Sequence, residues 1–196
     1  NNINNEISQC WDRETSGYQW GTRTGTTSIG STGPSSAFVG QNYIYANGAV
    51  GGNGQTATIT SPQIDLSNLT NPGVTFFYFM RGDDIGELAL EVKEVTSSNW
   101  VEIENIVGSQ QVNATDDWEE VVVSLNAFEG EIIEYRFVAT RGDGFSSSIA
   151  VDAVEVGEVN PCLRPSDLEV NNVDLDSAEL TWTPADATAT SFIWEV

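Results

Sequence analysis

The chain has 196 residues and a formal net charge of −22, with seven lysines and arginines against 29 aspartates and glutamates. This surplus argues against nucleic acid, anionic membranes and strongly anionic polysaccharides as partners, because long-range repulsion opposes each encounter. Histidine is absent from the sequence, which excludes Ser-His-Asp and Cys-His catalysis and any histidine-ligated metal. No apolar run is long enough to insert into a membrane. We therefore expect a folded domain that is not an enzyme.

Short β-rich runs separated by Gly, Asn, Ser, Asp and Pro recur along the chain, and helical periodicity is nearly absent. In "ELALEVKE", Leu88, Leu90 and Val92 share one face, which predicts a strand with one buried side. The run "VTFFYFM" is apolar throughout, as expected of a strand covered on both faces. The predicted strands are 41–46, 55–60, 74–80, 87–95, 100–106, 118–125, 132–140 and 148–156. Together they indicate an all-β fold, an antiparallel β-sandwich of jelly-roll type.

The stretch "VGEVNPCLRPSD" marks a domain boundary, because Pro161 and Pro165 predict a stiff linker. Beyond it the β pattern restarts, with three short apolar runs near Leu168, Leu180 and Trp194. Three strands expose too much edge for a stable unit. We therefore predict a jelly-roll domain over residues 1–160, then a linker and the first strands of a truncated β-sandwich domain over residues 161–196.

The two cysteines, Cys10 and Cys162, lie far apart in the sequence. Neither belongs to a Cys-x-x-Cys pair, so the pattern does not indicate a zinc or thioredoxin-like site. A disulfide closing the ends of one domain is the more natural interpretation, and it implies an oxidising compartment. Two buried free thiols are the alternative.

Four motifs follow one another along the chain: the turn "TGPS" at 32–35, "SP" at 61–62, the loop "DIG" at 84–86 after an aromatic strand, and the final hairpin "YRFVATRGDGFSSSIAVDAVEV". In this order they resemble a MAM domain, the module named after meprin, A5 and receptor phosphatase mu. The resemblance covers residues 8–162, and "LTWTP" beyond it resembles an opening strand of a fibronectin type III domain.

The resemblance implies a jelly-roll module that mediates adhesion or oligomerisation, or that accompanies a catalytic domain. The domain order is similar to that of large secreted bacterial proteins. We therefore expect an extracellular or cell-surface location, with neighbouring domains in the same polypeptide. Animal members carry four cysteines, whereas this chain has two.

Asp152 lies in "SIAVDAVEV", where strand alternation places it on one face with Ala150, Val154 and Val156 and puts apolar residues on the other face as well. A carboxylate there is expected to be partly buried and to need a cation or several hydrogen bonds. A structural calcium or sodium ion with oxygen ligands would satisfy it, with Glu6 and Glu14 as co-ligands. Backbone N–H groups or an arginine side chain are the alternative partners. The acidic pair of some family members is Asp152-Ala153 here, so the resemblance matches such a cation site only in part.

The triplet Arg-Gly-Asp occurs twice, each time directly after a long apolar strand. Both loops are therefore expected at one rim of the sandwich, where Arg81, Asp83, Arg141 and Asp143 would form a compact polar cluster for a glycan or a protein partner. An ion-pair network between the loops is the alternative, and it would contribute little at the surface. A turn accounts for each glycine and aspartate, so integrin binding is not needed to explain them.

Trp100 is the strongest aromatic candidate for a sugar-stacking residue, because it shares a face with Glu102 and Glu104 and is predicted to be exposed. Tyr43 and Tyr45 are further candidates. We expect a non-catalytic recognition module that binds a glycan or polysaccharide. A protein–protein adhesion or oligomerisation module, and a structural spacer beside an enzyme domain, are the alternatives.

Overall fold

The computed structural model describes residues 7, 10–14, 16–159, 166–171 and 179–183. The chain divides into two compact units, Asn1–Val159 and Asn160–Val196. Among the described residues, no helix has the length and apolar character needed to cross a membrane.

The described part of the first unit is built from strands, with one 3-10 turn at Asn126–Phe128. The strands are β1 (Asp12–Arg13), β2 (Trp20–Thr24), β3 (Asn42–Ala46), β4 (Thr56–Thr60), β5 (Ile64–Asp65), β6 (Pro72–Met80), β7 (Glu87–Glu94), β8 (Val101–Val107), β9 (Glu119–Ser124), β10 (Ile132–Thr140) and β11 (Ile149–Glu158). All eight predicted strands are present within a few residues of their predicted bounds. The strands β1, β2 and β5 were not predicted, since they are short or lie in Gly- and Thr-rich sequence.

Two antiparallel sheets pack into the predicted sandwich. Sheet A has the order β1-β4-β10-β7-β8, with β5 also pairing with β10, and sheet B has the order β2-β3-β11-β6-β9. The consecutive strands β10 and β11 lie at the centres of opposite sheets. The fold is thus all-β, as predicted, and each sheet has one face towards the core and one outer face.

The core between the sheets is rich in aromatic side chains. Trp20 is fully buried, and its indole Nε1 donates a hydrogen bond to the carbonyl oxygen of Ala57 at 3.0 Å. Phe76 of sheet B meets Phe137 of sheet A with ring centroids 5.0 Å apart. Burial of such a side chain contributes about 1.5–3 kcal/mol, so this layer holds the two sheets together.

A second apolar layer covers the outer face of sheet B. Tyr43, Tyr45 and Phe79 are buried there, and Ala37 and Trp118 pack against them. The end of β6 is therefore covered on both faces, with Phe79 buried on the outer face and Phe76 and Tyr78 on the inner one, which explains its run of aromatic residues.

A β-bulge interrupts β11, because its pairing with β6 shifts register between Asp152 and Glu155. Ala153 within the bulge has a φ of 49°, in the left-handed region that alanine rarely adopts. Simple alternation placed Val154 on the same face as Asp152, and this was wrong. The extra residue turns Val154 into the core, while Asp152 faces the loop that covers sheet B.

The second unit contains the antiparallel pair β12 (Ser166–Asn171) and β13 (Glu179–Thr183). These strands match the predicted runs near residues 168 and 180. The third predicted run, at 192–196, lies outside the described residues, and the fibronectin type III resemblance stays a prediction.

Candidate ligand-binding site

The two Arg-Gly-Asp loops lie against each other at one rim. The backbone N–H of Asp84 donates to the carbonyl oxygen of Ser146 at 3.2 Å, and the N–H of Ser146 donates to the Asp84 carboxylate at 3.2 Å. A Cβ on Gly142 would lie 1.8 Å from the carbonyl oxygen of Asp84, and one on Gly82 would lie 2.0 Å from that of Ser146. Glycine is required in both loops because the backbones touch.

Arg81 does not face a ligand site. Its guanidinium donates to the carbonyl oxygens of Gly30, Gly33 and Val112 at 3.1, 3.0 and 3.2 Å. These acceptors belong to two different loops, so Arg81 joins the segments that lead into residues 35–38 and 114–118. Its role is positional, in contrast to the direct ligand contact that was predicted.

Arg141 is only 3% exposed. It donates to the carbonyl oxygen of Gly48 at 3.1 Å and to Asn53 Oδ1 at 2.9 Å, and its guanidinium lies 5.3 Å from the Phe145 ring centroid. A side chain this enclosed is not available to a glycan. The prediction that Arg141 forms part of an open polar cluster is therefore not supported by its position.

Asp83 and Asp143 are exposed on the same rim. Within the described residues, the ion pairs of the chain are Lys93–Glu134 and Arg136–Glu91, both on sheet A. The alternative of an ion-pair network between the two loops is thus not formed. The two aspartates remain solvent-facing acceptors without the arginine partners that were predicted.

Tyr43 and Tyr45 are 2% and 1% exposed, so neither ring is available to stack on a sugar. The hydroxyl of Tyr43 donates to the carbonyl oxygen of Gly25 at 2.7 Å. Burial raises the pKa of both hydroxyls, so both stay protonated, but the Tyr45 hydroxyl has no hydrogen-bond partner among the described residues. The prediction that they bind a ligand is corrected, because the outer face of their sheet is covered by a loop.

Trp100 is half-buried and packs onto a charged network on the outer face of sheet A. The Arg136 guanidinium lies 4.3 Å and the Lys93 ammonium 5.0 Å from its ring centroid. These cations pair with Glu91 and Glu134. Part of the ring surface predicted to face a sugar is instead in contact with this protein's own cations.

The carboxylate of Asp152 is hydrogen-bonded by backbone. Its Oδ2 accepts from the N–H groups of Phe38 and Val39 at 2.9 and 3.1 Å, and its Oδ1 accepts from the N–H of Ala153 at 2.8 Å. These are the backbone partners considered as the alternative to a cation. They fasten the loop that carries Phe38 to the bulge of β11.

The other predicted metal ligands are not brought to Asp152 in the described part of the chain. Glu14 Oε2 accepts from the backbone N–H of Thr58 at 2.6 Å, on sheet A. Glu6 lies outside the described residues, which include no group of three or more Asp, Glu or Cys side chains able to hold a metal. The calcium site therefore stays a prediction. Cys10 is exposed and Cys162 lies outside the described residues, so the disulfide stays a prediction as well.

A cleft opens on the outer side of sheet B between two loops. We call it the loop cleft and define it by Ser35, Ser36, Ala37, Phe38, Ala114, Thr115, Asp116, Asp117 and Trp118. Its volume is about 430 Å³, within the range of about 300–1,000 Å³ typical of small-molecule sites. The walls are tied together, since Ser35 N–H donates to the Ala114 carbonyl oxygen at 2.7 Å and Trp118 Nε1 to that of Ser36 at 3.3 Å.

One wall of the loop cleft is aromatic. The Phe38 ring stacks on Phe77 of β6 with centroids 3.7 Å apart and planes 14° from parallel, and Phe38 is still 45% exposed. Trp118 packs on Tyr43 and Phe79 with centroids 5.7 and 5.5 Å away. The buried aromatic layer therefore holds the exposed aromatic wall in place.

The other wall is polar. The Asp116 carboxylate accepts from the N–H groups of Asn113 and Val112 at 2.7 and 2.9 Å, and these bonds lower its pKa. Asp117 and Thr115 are exposed, and their side chains form no hydrogen bond with the described residues. Asp116 thus shapes the wall, while Asp117 and Thr115 are available to a ligand.

Inspection of the sequence did not single out this cleft. The run "NATDDW" is typical of a turn capped by aspartate, and Asp116 does cap the turn at Asn113. Phe38 offered a signal: it is a large apolar residue inside the Gly- and Ser-rich run "TGPSSAFVG". A large apolar side chain in such a loop is expected either to pack on another part of the same protein or to lie at a binding site.

The fold and the loop cleft define a β-sandwich module with a preformed surface site. Residues 4–163 match the MAM domain family, described as meprin/A5/mu, and the chain belongs to that family. The earlier resemblance to a MAM domain is confirmed. Neuropilin-1 of Xenopus laevis is 26% identical over an alignment of 159 positions, which covers 78% of this chain and 16% of that protein.

Two solved structures are similar in fold. The K1 cleaved adhesin domain of Lys-gingipain from Porphyromonas gingivalis W83 is 16% identical with a TM-score of 0.53, over 79% of this chain and 94% of that one. A structure described as a carbohydrate-binding module of the β-sandwich superfamily is 15% identical with a TM-score of 0.51, over 80% and 60%. At these identities the similarity establishes the sandwich fold.

Proposed function

We propose that the first unit is a non-catalytic recognition module that binds carbohydrate at the loop cleft. The observation that carries this is the preformed cleft, which is lined both by the exposed Phe38 and by Asp117, whose carboxylate forms no hydrogen bond with the described residues. The C–H face of a sugar packs on an aromatic ring, while carboxylate and hydroxyl oxygens accept from its hydroxyls. Both kinds of group are present within one site.

The rigidity of the cleft favours binding. Hydrogen bonds join its walls at Ser35 and Trp118, and Asp152 fastens the backbone of Phe38. A site that is already ordered loses little conformational entropy when a ligand enters. The loops can thus hold a weakly interacting ligand such as a sugar without first having to fold around it.

The same carboxylates favour binding over catalysis. A glycoside hydrolase needs two carboxyl groups across the sugar, about 5–10 Å apart, one of them as an acid or nucleophile. Asp116 is committed to backbone N–H groups with a lowered pKa, so it is a poor proton donor at neutral pH. Asp117 is then the carboxylate that remains available in the cleft, beside the Thr115 hydroxyl, which suits recognition.

We also propose that the module lies outside the cell as part of a longer polypeptide. The predicted Cys10–Cys162 disulfide would require an oxidising compartment. The match to 16% of Neuropilin-1 shows that such a module occurs within a much longer protein. The structures similar in fold are described as an adhesin domain and a carbohydrate-binding module, which is in keeping with a surface role.

The test is affinity gel electrophoresis of the chain through a panel of neutral polysaccharides. Phe38→Ala and Asp117→Asn are each expected to weaken retardation by about tenfold in Kd, since each removes one good contact of about 1.4 kcal/mol. Phe145→Ala is the matched control, because Phe145 is also an exposed loop phenylalanine but lies on the Arg-Gly-Asp rim. Melting temperatures establish that all three variants are folded.

Equal retardation of Phe38→Ala and Phe145→Ala would contradict the loop cleft as the site. No retardation by any glycan, together with self-association in size-exclusion chromatography, would favour the alternative of an adhesion or oligomerisation module. Neither glycan binding nor self-association would leave the structural spacer as the better interpretation.

A further inference from the structure

The surface beside the loop cleft continues along the outer face of sheet B. Val121 and Val123 of β9 pack towards the core, so Glu120 and Val122 point outward. Val122 is 48% exposed. An exposed valine in the middle of a strand leaves apolar surface for which the described part of the chain supplies no cover.

The register of the sheet connects this valine to the cleft. Phe77 of β6 lies opposite Glu120, and Thr75, two residues earlier on the same face, lies opposite Val122. Phe38, in the cleft, stacks on Phe77. The exposed Phe38, the half-buried Phe77 and Thr75 and the exposed Val122 therefore follow one another on this outer face, beginning at the cleft. We call this surface the outer strip and define it by Phe38, Val39, Thr75, Phe77 and Val122.

Carboxylates border the outer strip on both sides. Glu120 lies beside Phe77 on β9, and Glu155 lies opposite Thr75 on β11, where the bulge has turned it outward. Both are exposed. No lysine or arginine belongs to the strip or to the residues that line the cleft. A neutral ligand avoids the repulsion that a uronic acid or sulfate group would meet here.

The strip is longer than one sugar ring. From residue 118 to residue 122 the strand advances by about 13 Å, at about 3.3 Å per residue. Resting on the carbohydrate-binding function proposed above, we propose that the ligand is a neutral linear polysaccharide. One sugar unit enters the loop cleft, and further units run along β9 over the outer strip towards Val122.

Isothermal titration calorimetry tests this with β-1,4-linked glucose, galactose and mannose oligomers, from the monosaccharide to the hexasaccharide, and with polygalacturonate as the anionic comparator. For the sugar that binds, affinity is expected to rise on the order of tenfold from monosaccharide to trisaccharide as the strip is filled. Polygalacturonate is expected to bind at least tenfold more weakly than the neutral polymer.

Val122→Glu separates the strip from the cleft. It is expected to weaken trisaccharide binding about tenfold and to leave monosaccharide binding unchanged, whereas Phe38→Ala weakens both. Val101→Glu is the matched control, because Val101 is 50% exposed on β8, the edge strand of the other sheet. It should alter neither affinity.

Affinity that does not depend on oligomer length, or trisaccharide binding unaffected by Val122→Glu, would overturn the outer strip while leaving the cleft intact. Loss of the Phe38→Ala effect, or no binding of any oligomer, would overturn the proposed function and this inference with it. Tight binding of polygalacturonate would overturn the neutral ligand. A dimer that Val122→Glu dissociates would make the strip an interface between copies of the chain.

Discussion

The two outer faces of the sandwich each carry a tryptophan, but Trp100 on sheet A lies among charged side chains and Trp118 on sheet B lies against aromatic ones. The face of sheet A carries alternating charges around Trp100, with Glu91, Lys93, Glu134 and Arg136 forming two ion pairs. The face of sheet B is covered by a loop, which buries Tyr43 and Tyr45 and packs against Trp118.

The difference shows that a polar surrounding is a poor guide to ligand availability. Trp100 sits among glutamates, yet two cations already lie against its ring. Phe38 stacks on Phe77, yet it stays 45% exposed and lines the same cleft as Asp117. An aromatic side chain is available to a ligand only where the protein's own groups do not already contact its ring.

The largest expected effect on this comparison comes from Trp118→Ala. Trp118 packs on Tyr43 and Phe79 and donates to Ser36, so its removal should lower the free energy of unfolding by about 2–4 kcal/mol. Urea denaturation measures the loss, and glycan retardation should disappear with it. A loss under 1 kcal/mol would mean that the aromatic layer does not hold the cleft.

Asp152→Asn should be next in size. The amide keeps one acceptor oxygen but loses the charge that strengthens three backbone hydrogen bonds, so we expect a loss of about 1.5 kcal/mol. Because the bonds hold Phe38 and Val39, glycan affinity should fall as well. Stability lost with affinity unchanged would show that the loop keeps its position without Asp152.

Structural calcium is tested on the same residue. If Ca²⁺ binds beside Asp152, adding calcium after EDTA raises the melting temperature of the native chain and not of Asp152→Asn. Differential scanning calorimetry measures both. An unchanged melting temperature in the native chain would count against the cation and leave the backbone hydrogen bonds as the full account of this carboxylate.

Trp100→Ala should have a smaller effect, confined to sheet A. Loss of its contacts with Arg136 and Lys93 is expected to destabilise the chain by about 1 kcal/mol, without changing glycan affinity. Thermal unfolding and gel retardation are measured side by side with Phe38→Ala, for which the opposite pattern is expected. Weaker glycan binding in Trp100→Ala would move the ligand to sheet A and reverse the comparison.

The smallest effect is that of pH on the polar wall. Hydrogen bonds from the N–H groups of Asn113 and Val112 lower the pKa of Asp116 below its ordinary value of 3.8. A depressed pKa stabilises the fold above that ordinary value, and the contribution is lost as pH falls through the lowered pKa. Glycan affinity should therefore be constant from about pH 7 to about pH 5 in calorimetric titrations. A decline within that range would implicate another group.

Much of the fold was predictable because strand patterns are local. The alternation of Leu88, Leu90 and Val92 is visible within one short run, and all eight predicted strands formed. The bulge in β11 was not predictable, since Ala153 carries no glycine-like signal for its positive φ. One extra residue there reversed the face assigned to Val154, which is how a local count of alternation fails.

The sequence by itself determined that this chain is an all-β, acidic, histidine-free member of the MAM domain family. Only the tertiary structure decided where the proposed ligand site lies. The loop cleft joins residues 35–38 to residues 114–118, which are remote in sequence. They meet because the first segment leads into β3 and the second into β9, and both strands belong to sheet B, with the order β2-β3-β11-β6-β9. Arg81 and Asp152 then hold these loops through backbone groups that every residue carries. The pattern of side chains along the sequence predicts where strands form. It does not predict which backbone N–H and C=O groups Arg81 and Asp152 will bind, because that depends on which loops the sheet brings together.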